Sequence, residues 1–207
     1  MRILVACEFS GVVRRAFRDL GHDAWSCDLL PADDGSKYHY QDDIRNALSR
    51  GKPRDDADWD LMIAHPPCTY MANSGVSWLH RDPTRWEKLH DATEFFRLLW
   101  DAPIKRICIE NPIMHKHAKE RIGNLQQAQM VQPYMFGHLE SKATCLWLKN
   151  LPLLVPTSNL KAETMALPAA ERQRLHWLPP SADRWKLRSM TYPGIAAAMA
   201  NQWGVLQ

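Results

Sequence analysis

Two short apolar runs, each stopping at a proline-flanked polar group, constrain this chain most. Leu61-Met62-Ile63-Ala64 leads into His65-Pro66-Pro67-Cys68, and Ile107-Cys108-Ile109 leads into Glu110-Asn111-Pro112. Runs that are apolar at every position fit strands covered on both faces, as in a parallel sheet. In open α/β sheets, ligands gather beyond the carboxyl ends of such strands. The Cys68 thiol and the Glu110 carboxyl group are therefore expected to face one pocket. A thiol and an acid together suit attack on a pyrimidine ring, where sulfur adds to one carbon while the acid protonates or hydrogen-bonds a ring nitrogen.

The rest of the chain repeats the strand–helix alternation. Arg2-Ile3-Leu4-Val5-Ala6-Cys7 predicts a buried first strand, and Glu8-Phe9-Ser10-Gly11 turns into a helix over residues 12–20 that stops at Gly21. A second strand over 22–27 ends in Asp28. Strand, glycine turn, helix, strand and terminal acid match the start of a nucleotide-binding βαβ unit, although one glycine alone occupies the turn and GxGxxG is absent. Residues 31–42 are turn-rich, Asp43-Ile44 opens a short helical piece, and 51–58 form a charged loop. Residues 69–82, with Thr69, Tyr70, Asn73, Ser74 and Trp78, lack periodicity and suit an active-site loop. Helices are predicted over 83–100 and 114–129, and strands over 131–136 and 144–148 joined by the loop 137–143. Residues 151–183 are rich in proline, leucine and polar residues, with a short helix near 169–175. A small-residue helix, 193–203, closes the pattern and suits tight packing on a sheet or ligand. Such alternation specifies one three-layer α/β domain spanning 1–207.

Composition excludes more than it selects. With 207 residues, 45% of them hydrophobic and 24% charged, the chain can build a single sizeable core and is not disordered. The net charge of +3 permits a polyanionic partner without requiring one. Nine tryptophans are many, and several neighbour arginines (Trp78/Arg81, Arg85/Trp86, Arg184/Trp185), a pairing that grips bases or phosphates or merely packs. Five cysteines without CxxC spacing fit a reducing compartment rather than a disulfide framework. His65 and Cys68 have HxxC spacing, but no second close pair completes a zinc site, so no metal is expected. His115 and His117 are expected to face solvent. With no long apolar stretch and no leader-like segment, the chain is expected to be cytoplasmic, with no membrane contact, and monomeric.

The order Phe9-Ser10-Gly11, Asp28, Asp43-Ile44, Pro67-Cys68, Glu110-Asn111 and the C-terminal small-residue helix resembles the DNA (cytosine-5) methyltransferases, over most of 1–149 and again from about 188 to 204. The resemblance implies a Rossmann-like, S-adenosylmethionine-dependent fold. It implies that Phe9, Ser10, Gly11, Asp28, Leu29, Asp43, Ile44 and Pro67 line the cofactor site, with Asp28 on the ribose hydroxyls and Asp43 and Ile44 on the adenine. Cys68 is implied to attack C6 of cytosine, with its thiol pKa lowered by its surroundings. Glu110 is implied to hold or protonate N3, and Asn111 to brace the Glu110 loop. Lys142, Thr144, Tyr70 and Asn73 are expected to contact the substrate, DNA in duplex or single-stranded form.

The chain departs from that pattern in three places. Where the family carries Gln-x-Arg-x-Arg, this chain has His138-Leu139-Glu140-Ser141-Lys142-Ala143-Thr144; Lys142 replaces one arginine, but Thr144 lacks the charge of the other. Val12 and Val13 stand where glycine is common. Residues 151–187 form a short insert where a target-recognition domain is expected, before residues 188–207 return to the cofactor region. Weak or short sequence preference follows, or a different substrate: RNA, single-stranded DNA or a pyrimidine nucleotide. Small stand-alone relatives of this kind look like those carried by phages. Two rivals remain. Pro66-Pro67 is similar to the (Asp/Asn/Ser)-Pro-Pro-(aromatic) loop of amino-group methyltransferases, with His65 and Cys68 at its ends, and a degenerate fold could bind nucleic acid without catalysis.

Overall fold

A computed structural model describes residues 1–49, 58–123, 125 and 128–206. Seven strands form one mixed sheet: β1 (Arg2–Ala6), β2 (Asp23–Asp28), β3 (His39–Gln41), β4 (Leu61–Ala64), β5 (Arg106–Pro112), β6 (Gln129–Val131) and β7 (Thr144–Lys149). Their order across the sheet is β3-β2-β1-β4-β5-β7-β6. The first five run parallel, and β7 enters antiparallel between β5 and β6. The chain moves outward from β1 to β2 and β3, then returns to place β4 on the other flank of β1. That reversal opens a crevice at the carboxyl ends of β1 and β4, where ligands of doubly wound sheets bind.

Alternation along the central strands sends side chains to two faces. Ile3, Val5, Leu61, Ile63 and Cys108 join one core cluster; Leu4, Ala6, Met62, Ala64, Ile107 and Ile109 join the other. The first face is covered by α1 (Val12–Asp19), through Val13 and Phe17, and by the last helix, through Ile195, Met199 and Trp203. The second face is covered by helices carrying Leu89, Phe96 and Leu99, and Ala118 and Ile122. Each large side chain that is wholly buried, such as Phe96 or Trp203, contributes about 1.5–3 kcal/mol by leaving water. The three-layer expectation is met.

Several boundaries differ from the sequence expectation. Residues 114–129 are not one helix. After α2 (Ile44–Ser49) and α3 (Arg85–Trp100), α4 spans only Lys116–Ile122 and ends at Gly123, whose φ of +83° leaves the helical region. His115 is not solvent-facing: it is buried, caps α4 by accepting from the Ala118 N–H, and its other ring nitrogen contacts the Tyr70 carbonyl at 2.8 Å. Of the strand expected over 131–136, only Val131 is β; Pro133–Phe136 coil into a 3-10 turn stopped by Gly137. Residues 73–80 are also 3-10 rather than irregular. The insert holds four short helices, α5 (Lys161–Ala166), α6 (Ala169–Arg172), α7 (Arg174–Trp177) and α8 (Arg184–Ser189), before α9 (Pro193–Trp203). The charged loop expected at 51–58 falls, but for Asp58, outside the described residues. No helix among the described residues is long and apolar enough to cross a membrane.

The small residues of α9 serve close approach. A Cβ on Gly194 would lie 1.9 Å from the Phe136 carbonyl oxygen and 2.9 Å from His138 Nε2, which itself accepts the Gly194 N–H at 3.0 Å. Gly194→Ala is expected to destabilise the protein by about 1–3 kcal/mol through overpacking. A fall in the urea midpoint without change in slope is the expected reading; an unmoved midpoint would mean that α9 shifts freely.

Candidate active site

The sheet register builds the site. β4 and β5 pair Ala64 with Ile109, so the next residues, His65 just past β4 and Glu110 still within β5, stand at one level. His65 Nδ1 stands 3.1 Å from Glu110 Oε2. Burial works to raise the Glu110 pKa, but the hydrogen bond and charge of His65, with the charge of Lys142, outweigh it and hold the carboxyl below its ordinary value. Glu110 is therefore a carboxylate, an acceptor rather than a ready acid. His65 Nε2 is buried and has no partner among the described residues.

Cys68 lies three residues beyond His65, where its carbonyl accepts the N–H groups of Met71 and Ala72 and starts the turn into the 3-10 segment. Its side chain is partly exposed, unlike the buried Cys27 and Cys108. The expected lowering of its pKa is not found. Burial, then the negative charge of Glu110, push the thiol up, and the positive charges of Lys142 and Arg188 only partly oppose them. The thiol thus lies within electrostatic reach of one carboxylate and two cations. Asn111 does not brace the loop: it faces away from Glu110 along the strand, is buried, and neither side-chain polar atom finds a partner among the described residues.

The other residues singled out for cofactor contact surround the neighbouring strand ends. Past β1 the chain takes a left-handed turn at Cys7 (φ 57°), a strained setting for a side chain. Glu8 then turns inward, its two oxygens accepting the N–H groups of Val13 (2.7 Å) and Arg14 (3.2 Å) at the start of α1. Phe9 and Ser10 are buried, and Gly11 has φ +67° with no room for a Cβ, which would lie 2.3 Å from the Arg14 guanidinium. Asp28 ends β2, accepts the Leu30 N–H at 2.9 Å, and is pushed up in pKa by burial. Leu29 is 70% exposed beside it, Ile44 is buried, Asp43 pairs with Arg45, and Pro67 is exposed. A carboxylate, a tight turn and apolar cover at the ends of β1, β2 and β4 fit an adenosyl group, since the acid suits a ribose diol.

Of the four residues expected at the substrate, Lys142 is brought to the cleft. Thr144 is buried at the start of β7 with its hydroxyl on the Lys142 carbonyl. The Tyr70 ring carries Arg85 and Lys88 of α3 over it, and Asn73 is exposed, with its backbone N–H on the Ile113 carbonyl. Sequence reasoning missed Glu8, Arg188 and the pairing of His65 with Glu110. The signal for His65 was present, since it occupies on its strand the place Glu110 holds on the next. Arg188 sits in a segment without periodicity and could not be placed.

No family model matches the chain, and a search of curated proteins finds no match. Among solved structures, a protein described as a DNA modification methyltransferase encoded within an E. coli prophage superposes with a TM-score of 0.53 at 15% identity, over 82% of this chain and 56% of that one. The Entamoeba histolytica methyltransferase EhMeth gives a TM-score of 0.43 at 14% identity, over 77% of this chain and 57% of its own. The chain thus spans little more than half the length of either structure, and what it shares with the prophage protein is the Rossmann-like methyltransferase fold.

Proposed function

We propose that this chain is an S-adenosylmethionine-dependent methyltransferase acting on C5 of cytosine in DNA through a covalent cysteine adduct. The observation that carries the reading is the placement of a partly exposed thiol, Cys68, in the turn that follows β4, within electrostatic reach of the Glu110 carboxylate on the adjacent strand β5. The prophage protein of like fold is described as a DNA modification methyltransferase, which supports the substrate class. When bound, the cofactor supplies an electrophilic methyl group on a sulfonium, and Phe9 to Gly11, Asp28 and Ile44 would hold it. The Cys68 thiolate adds to C6 and N3 takes up a proton from solvent, so that electron density gathers at C5. Glu110, held ionised by His65 and Lys142, accepts hydrogen bonds from the protonated N3 and the exocyclic amine, stabilising the ring as charge shifts onto it. After C5 has gained its methyl group and passed its proton to a solvent base, the C6–S bond breaks, the thiolate is regenerated, the N3 proton returns to solvent and the C5–C6 double bond is restored.

The test is incubation with methyl-labelled cofactor and, in turn, duplex DNA, single-stranded DNA, RNA and dCMP, together with DNA containing 5-fluorocytosine. Label in DNA and a denaturation-resistant protein–DNA adduct are expected. Label on the exocyclic amine, with no adduct, would instead assign the Pro66-Pro67 loop to amino methylation.

A further inference from the structure

A cavity of about 350 Å³ opens between the loop 137–143 and the insert, lined by Gln132, Glu140, Lys142, Gln173, Arg188 and Tyr192 among others. This is the small end of the range for small-molecule sites. Glu140 is already paired with Arg174 at 2.9 Å and accepts the Tyr192 hydroxyl, also at 2.9 Å. Two positive charges remain. Lys142 is fixed by its Nζ donating to the Arg188 carbonyl at 2.8 Å, and the Arg188 guanidinium makes no hydrogen bond or ion pair among the described residues. Arg188 is exposed, at the end of α8, and α8 is clamped onto the cofactor side of the molecule. The Trp185 ring lies 5.6 Å from that of Phe9, Lys186 pairs with Asp33 at 2.6 Å, and Arg184 donates to the Leu178 and His176 carbonyls. The helix is thus tied down on one side and presents an uncommitted guanidinium on the other.

We propose that this cavity binds the phosphate of the target pyrimidine nucleotide, and that Arg188 is its principal ligand beside Lys142. A guanidinium meets a phosphate with two parallel hydrogen bonds, and a lysine adds a point charge. Thr144 pairs with Pro112, two residues past Glu110, so the stretch carrying Lys142 joins the sheet beside the Glu110 end of β5, and the charges of Lys142 and Arg188 both reach the Cys68 thiol. The inference rests on the reading that a nucleotide is the substrate, but the site would hold the anion whether or not transfer follows.

The experiment compares binding of dCMP and deoxycytidine by titration calorimetry to the wild-type chain, Arg188→Ala and Arg188→Lys, with circular dichroism to show that each variant is folded. Alongside, alkylation of Cys68 by iodoacetamide is timed in a background where the other four cysteines are serine or alanine. Wild type is expected to favour dCMP by about tenfold or more, as for a charged hydrogen bond. That preference should vanish in Arg188→Ala and return in part in Arg188→Lys, and alkylation should slow in Arg188→Ala as the thiol loses a nearby cation. Equal affinities for the two ligands in wild type, or a preference that survives in Arg188→Ala, overturns the proposal. Methyl transfer to DNA without any phosphate preference would sink this inference alone; phosphate preference without transfer would sink the methyltransferase reading alone.

Discussion

Cys68→Ala is expected to abolish turnover and adduct formation, lowering the rate by about four orders of magnitude or more, as removal of a nucleophile does elsewhere. Cofactor affinity should be unchanged, since the residues around Phe9, Asp28 and Ile44 lie on other strand ends. The pH dependence of the wild type gives an independent sign. Burial and the Glu110 charge hold the thiol above its ordinary pKa, so the thiolate is the scarce form at neutrality. Single-turnover rate should therefore climb with pH, about tenfold per unit across about pH 6–8, until another group limits it. Methylation of DNA by the alanine variant, or a profile that falls over that range, would remove Cys68 from the mechanism.

The second large effect concerns stability. Arg14 is wholly buried, with one guanidinium nitrogen on the Ser26 hydroxyl at 2.9 Å and the other on the carboxylate of Asp34. Arg15 reaches the same carboxylate at 2.8 Å. Removing the acid strands a charge inside the protein, which costs about 3–5 kcal/mol when a buried pair is broken from one side. Asp34→Ala should show that loss in chemical denaturation, and cofactor affinity should weaken with it, because Asp34 fastens the loop that follows Asp28 and Leu29. The pH dependence follows from Asp34 itself. Burial opposes its ionisation, but hydrogen bonds from Arg14 and Arg15 draw its pKa down to about 2. A carboxyl group depressed on folding stabilises fully above its unfolded pKa of about 4 and loses that contribution as pH falls towards 2. Wild type should therefore lose stability across that window and Asp34→Ala should lose less; parallel curves would leave the ion pair without energetic consequence.

What the sequence made legible follows from how each element is held. β1, β4 and β5 are continuous apolar runs because the sheet buries them on both faces, and such runs read directly from composition. β3 has no such run: it is a three-residue edge strand, with Tyr40 stacked on Trp25 of its neighbour at 4.8 Å, and its pairing is decided by tertiary contact. α8 likewise leaves Trp185 and Leu187 exposed, so no apolar stripe announces it. Cys68 and Glu110 could be picked out because each comes soon after a legible apolar run, Leu61–Ala64 or Ile107-Cys108-Ile109. The buried, unsatisfied amide of Asn111 could not, since its neighbours come from distant parts of the chain. Nor could the upward shift of the Cys68 thiol, which depends first on how deeply the turn after β4 is buried and then on the charge of Glu110.

The reversed seventh strand has a consequence for how such a cleft can change. Because β7 runs against β5, pairing Thr144 with Pro112, its beginning rather than its end lies beside Glu110. The wall carrying Lys142 is thus spliced on from late in the chain, just upstream of a strand that is already anchored. Lengthening or shortening that stretch would reshape the far side of the cleft while the thiol and carboxylate kept their spacing. A change of length there would alter what the cleft admits without moving its two reactive groups.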